Sequence, residues 1–279
     1  MQLLKNNIIS GAENKAILLD VFYDSHTSNQ PVAIFCHGYK GFKDWGAWNI
    51  MAKKFAMAGI CFVKFNFSHN GGTIDQPIDF PDLEAFGNNN YSKELEDLEH
   101  VITWCHQNLK NNPNINVNNT VLMGHSRGGG IAAIKAKEDQ RIKKLITLAG
   151  VSDFKSRFGS EDEISLWKAN GVKFVENGRT KQKMPHYYQF YEDYLKNETR
   201  LNIKSALKNL KIPHLIIHGE ADSTVQISEA ENLSKWNKDS NFIRLKSADH
   251  VFNTHHPWES IELSESMKQV VDITTKFIF

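Results

Sequence analysis

The sequence is short of cysteine, of net charge and of long apolar runs. Its three cysteines, Cys36, Cys61 and Cys105, fall in two strand-like runs and one helical run with no paired spacing. That excludes a disulfide framework and leaves free, buried thiols. Lysine plus arginine number 33 against 32 aspartates plus glutamates, a formal charge of +1. No net field therefore gathers nucleic acid or an anionic membrane, and neither is expected as a partner. Nowhere do eighteen apolar residues run together, and Met1 to Asn7 is not followed by the apolar core of a secretory signal. The expectation is a cytoplasmic protein with no membrane span. No repeat or low-complexity linker interrupts the chain.

What is present is ordinary for a soluble globular enzyme: 41% apolar and 23% charged residues over 279 positions. Two short strands, around Leu3 to Ser10 and Lys15 to Tyr23, suggest an antiparallel edge hairpin. Pro31 to Cys36 is continuously apolar, as a strand covered on both faces requires, and it stops at His37-Gly38-Tyr39-Lys40-Gly41. A helical pattern follows from Asp44 to Ala58, then a buried strand from Ile60 to Phe67. After a polar loop, Leu95, Leu98, Val101, Ile102 and Cys105 recur at helical spacing within Tyr91 to Leu109. Further strands are expected at Thr120 to Met123, Ile142 to Val151, Pro213 to His218 and Phe242 to Leu245, and helices around Ile227 to Trp236 and Ile261 to Phe279. Strands alternating with helices imply a mostly parallel central sheet with helices on both faces, and a site beyond the carboxyl ends of the strands.

Residues 152–209 break that rhythm. They are rich in aromatics, among them Trp167, Phe174, Tyr187, Tyr188, Phe190, Tyr191 and Tyr194, with a hairpin expected over Val172 to Lys181 turning at Asn177-Gly178. This segment reads as an insertion over the site, dividing the core into 1–151 and 210–279. Its aromatics serve either packing or substrate contact.

The chain is organised around Val121-Leu122-Met123-Gly124-His125-Ser126-Arg127-Gly128-Gly129-Gly130. A strand meets a glycine-flanked serine that opens a helix, the arrangement that projects a hydroxyl from a sheet edge. A serine attacks only when a base takes its proton and an acid orients that base. In this fold pattern both should follow the serine, acid first. Asp222, in the turn after the Pro213 strand, is the chosen acid, with Glu220 and Asp153 as alternatives. His250, after the Phe242 strand, is the chosen base ahead of His218 and of His255-His256. The amides of Tyr39 and Arg127 are the expected oxyanion donors. Arg127's side chain is open to pairing with a nearby carboxylate. His255-His256 has no partner at metal-ligand spacing, so neither metal nor cofactor is expected. Lys40 and Lys43 read as a solvated loop face.

Together, His37 to Gly46, Gly124 to Gly129, Asp222 and His250 resemble the α/β-hydrolase superfamily, and within it the bacterial esterase and serine-aminopeptidase-like branch that includes cinnamoyl and feruloyl esterases. The likeness runs from about Pro31 to the C-terminus. It implies an α/β-hydrolase fold in which 152–209 forms a lid. Ser126 separates the chain from branches with an aspartate or cysteine nucleophile, and the prolyl-peptidase pattern around the serine is absent. The resulting expectation is a serine hydrolase cleaving a small carboxylic ester with an apolar or aromatic acyl group. Peptide, amide and thioester cleavage stay open, as does a slow or silent triad in a small-molecule binding protein. Oligomeric state is not legible.

Overall fold

A computed structural model describes residues 1–279. Its centre is an eight-stranded sheet whose six core strands are parallel. At one edge lies the hairpin of β1 (Gln2–Ser10) and β2 (Ala16–Tyr23), paired antiparallel to each other, with β2 antiparallel to β4 (Cys61–Phe65). The parallel strands then run β4, β3 (Gln30–Cys36), β5 (Ile115–His125), β6 (Ile142–Leu148), β9 (His214–Gly219) and β10 (Asn241–Leu245).

The apolar runs of the sequence are explained by period-two packing on two covered faces. In β3, Val32, Ile34 and Cys36 enter one core while Ala33 and Phe35 enter the other. The first core is covered by α3 (Tyr91–Asn108), α4 (Arg127–Glu138) and α8 (Ile227–Trp236); the second by α1 (Trp48–Met57) and α9 (Glu265–Ile278). The three cysteines are buried and unpaired. No helix is long and apolar enough to cross a membrane.

Several expectations from the sequence need adjusting. The helix expected from Asp44 begins at Trp48, because residues 43 and 44 are held elsewhere. Lys43 is not on a solvated face: it is fully buried, and so is Lys64 of β4. Lys43 Nζ reaches Asp20 at 2.8 Å and Asp44 at 2.7 Å; Lys64 Nζ reaches the same two carboxylates at 2.8 and 2.5 Å. Two cations and two anions thus neutralise each other where the edge hairpin, the loop after β3 and β4 meet. Burial works to raise Asp44's pKa, but the two lysines outweigh it and hold the carboxyl at about 2. A short α2 (Leu83–Gly87), capped by Asp82, lies inside the stretch expected to be loop.

Between β6 and β9 the chain leaves the sheet to form α5 (Glu161–Asn170), the antiparallel pair β7 (Val172–Glu176) and β8 (Lys183–Tyr187), α6 (Gln189–Asn197) and α7 (Ile203–Lys208). The hairpin is longer than expected, because the Asn177 side chain accepts from the amides of Arg179 and Thr180 and builds a wider loop before β8 starts.

Candidate active site

At the end of β5, Ser126 adopts φ 56° and ψ −122°, a left-handed backbone that a non-glycine residue holds only under constraint. The flanking glycines show what constrains it. A Cβ on Gly124 would lie 2.1 Å from the Gly128 carbonyl oxygen, and one on Gly128 would lie 2.4 Å from that of Cys36. Strand, helix and the end of β3 therefore meet backbone to backbone, and the serine between them is turned outward.

The acid and the histidine arrive on neighbouring strands. Gly219 ends β9 so close to the loop after β10 that a Cβ there would sit 2.1 Å from the Ala248 carbonyl. This contact sets Asp222 beside His250. His250 Nδ1 lies 2.8 Å from Asp222 Oδ2, and His250 Nε2 lies 3.0 Å from Ser126 Oγ. The two ring nitrogens thereby take separate roles, Nδ1–H donating to the carboxylate and Nε2 accepting from the hydroxyl. Asp222 Oδ1 also accepts from the amides of Thr224 and Val225. Burial works to raise Asp222's pKa, but these bonds and those from His218 and His250 hold the carboxyl well below the usual range. The alternative acids lie apart: Asp153 accepts from the Ser156 amide, and Glu220 is exposed.

Three histidines support this arrangement, and only one of them, His218, figured among the sequence candidates. Fully buried on β9, it stands behind Asp222, its Nε2 2.7 Å from the Val225 carbonyl and 3.2 Å from Asp222 Oδ2. His125 Nε2–H donates to the His250 carbonyl at 2.8 Å; burial and the neighbouring His250 depress its pKa to about 3, so it is neutral. His37, lowered by burial to about 4, donates from Nδ1 to the Gly38 carbonyl and accepts at Nε2 from the Phe67 amide. It braces the loop that carries Tyr39. His255 and His256 pack against Trp258 and Phe42, and His256 Nδ1 accepts from the Gly46 amide at 2.9 Å.

The two expected oxyanion residues are neighbours through their side chains as well. Arg127 is the first residue of α4, where a helix leaves its amides without intrahelical partners. Its guanidinium lies 4.4 Å from the centre of the Tyr39 ring and 3.4 Å from Glu94, so the carboxylate partner open in the sequence is Glu94 of α3. The Tyr39 hydroxyl shares a 2.7 Å hydrogen bond with His186 Nε2 of β8, tying the loop after β3 to the excursion above the sheet.

Two cavities meet at Ser126. One, of about 270 Å³, is walled by Tyr39, Tyr91, Phe154, Phe158, Trp167 and Phe190. The other, of about 470 Å³, is more polar and includes Lys40, Trp45, Asn177, Arg179 and His255. Of the excursion's aromatics singled out in the sequence, Trp167 and Phe190 face the first cavity. Phe174 is exposed, and Tyr191 and Tyr194 pack around Phe158.

Comparison with known proteins agrees with this architecture. The chain is 26% identical over 175 residues to the uncharacterized peptidase YuxL of Bacillus subtilis (strain 168), a match taking in 60% of this chain and only 24% of that protein. Est1E from Butyrivibrio proteoclasticus superposes with a TM-score of 0.70 at 14% identity, covering 99% of this chain and 98% of that one. The esterase domain of a Rhodothermus marinus protein superposes with a TM-score of 0.65 at 17% identity, over 99% and 98% of the two chains. Est1E has also been solved with ferulic acid bound. Residues 87–254 match the family described as alpha/beta hydrolase fold. The chain belongs to the α/β-hydrolase fold family.

Proposed function

We propose that this protein is a serine ester hydrolase working through an acyl-enzyme. One observation carries the reading: an unbroken hydrogen-bonded relay from Asp222 through His250 to Ser126, opening onto an aromatic cavity. Ser126 Oγ attacks the ester carbon while His250 Nε2 takes its proton. The negative charge on the carbonyl oxygen is received by the Tyr39 and Arg127 amides, each such donor being worth roughly a hundredfold or more in rate. The alcohol departs with the proton from His250, and a water activated by the same nitrogen releases the acid.

The acyl group takes the aromatic cavity, and the polar cleft takes the alcohol. An apolar cavity of about 150 Å³ accommodates benzene, so 270 Å³ suits a ring with a short extension. The ferulic acid bound to Est1E is an aromatic acid of that kind, which supports the choice. Residues 152–209 act as the lid. A second reading, cleavage of a peptide or amide, draws on the name of YuxL and uses the same relay.

The test is a panel of chromogenic esters, acetyl to decanoyl and cinnamoyl, with a matched anilide series, given to wild type and Ser126→Ala. Ester turnover that disappears in the variant, with cinnamoyl or a short chain preferred, is the expected result. Faster cleavage of anilides moves the assignment to amides. No turnover together with no labelling of Ser126 by a fluorophosphonate would sink both and leave a binding protein.

A further inference from the structure

The charged residues facing the aromatic cavity are all cations. Arg127, Arg157 and Lys173 are among its fifteen lining residues, and no aspartate or glutamate is. Two of the three are answered from behind the wall: Arg127 by Glu94 and Arg157 by Glu229. Lys173 of β7 is different. Its Nζ lies 3.9 Å from the centre of the Trp167 ring and donates to the Phe158 carbonyl at 3.1 Å, yet no carboxylate lies within ion-pair distance. An ammonium carries three donors, and the carbonyl uses one.

A half-buried cation over an aromatic face gains from the ring but leaves its charge uncompensated. Burial pulls Lys173's pKa down, with Glu163 pulling the other way from a distance. His186, on the same wall, is held neutral by burial and by the surrounding cations, its pKa lowered to about 3, and so adds no second charge. The cavity therefore offers an aromatic slot with Ser126 in its lining and, in its wall, a cation without an anion.

We propose that the acyl group taken by this cavity ends in an anion, with Lys173 as the residue that selects it: the substrate class is the monoester of an aromatic or similarly flat dicarboxylic acid. The proposal rests on the assignment of ester hydrolysis above, and it narrows that assignment from an apolar acyl group to an apolar body with a charged tip. The hydrolysis itself is unchanged; the second carboxylate is a handle and takes no part in bond making.

The experiment compares methyl cinnamate with the monomethyl ester of 4-carboxycinnamate, which differ only in the distal carboxylate. Wild type is expected to favour the anionic ester by about tenfold or more in kcat/KM, as a charge-assisted contact allows. The preference should shrink as salt rises, persist in Lys173→Arg and fall to near unity in Lys173→Met. Equal rates for the two esters in wild type, or a preference that survives in Lys173→Met, overturn the proposal while leaving ester hydrolysis standing. The binding arm does not depend on turnover: titration of Ser126→Ala with 4-carboxycinnamate and with cinnamate should give tighter binding of the dicarboxylate. If neither ester is cleaved, ester hydrolysis fails, and the titration alone decides between an anion-selecting cavity and equal affinities, which overturn it.

Discussion

Asp222 receives two backbone amides on one oxygen, while His250 and the His218 side chain meet at the other. Its carboxylate is consequently fixed in place and ionised throughout the working pH range, and it holds His250 in the tautomer that can accept from Ser126. Asp222→Asn keeps the shape but favours the wrong tautomer. The expected outcome is a fall in kcat of roughly 10³- to 10⁴-fold with little change in KM, read from steady-state kinetics on the best ester of the panel. The fold brings Ser126 and Asp222 each within hydrogen-bonding distance of His250. All three could be picked out as candidates from the sequence because each lies in a turn that follows a strand, and the order of acid then histidine restricts the choice. His218 was legible only as a histidine on a strand; its place behind Asp222 depends on the turn at 219–222 folding back, which periodicity does not encode. Lys173 was hidden for a related reason: one lysine in a charged, aromatic-rich segment says nothing until its carboxylate partners can be looked for and found missing.

At the scale of elements, the site depends on how closely β3, β5 and α4 approach. Gly128→Ala puts a Cβ against the Cys36 and His37 carbonyls, both backbone atoms that cannot swing aside. Expressed Gly128→Ala should therefore lose nearly all activity, and its thermal midpoint should fall by several degrees, as a strained contact of about 1–3 kcal/mol implies. An alanine tolerated with full activity and an unchanged midpoint would show that the turn is looser than these distances indicate. Strands and long helices were well foreseen, since buried parallel strands write themselves as apolar runs and α3 as a repeating stripe. The ends of elements were not. Helix α1 starts four residues late because Asp44 is committed to Lys43 and Lys64, and Lys64 lies in another element.

For the molecule as a whole, the buried quartet of Asp20, Lys43, Asp44 and Lys64 is a point of vulnerability, because its four charges have only one another as ion-pair partners. Removing one member strands charge in the interior, so Lys64→Met is expected to cost about 3–5 kcal/mol in denaturant unfolding. Asp44 is held at about 2 in the folded chain, against about 3.9 for an unperturbed aspartate. A depressed carboxyl stabilises above its unfolded value and stops doing so as acid protonates it in the folded state. Unfolding free energy should thus fall between about pH 4 and pH 2, and Asp44→Asn should flatten that fall while lowering stability at neutral pH.

The same quartet decides how the gene could be trimmed. The sequence motifs that resemble a hydrolase begin near Pro31, and a designer guided by them alone would cut there. Asp20 lies on the discarded side. The shortened polypeptide would carry Lys43 and Lys64 into its interior with only Asp44 to meet them, so the smallest self-sufficient version of this fold begins upstream of Asp20, in a hairpin that lines neither cavity at Ser126.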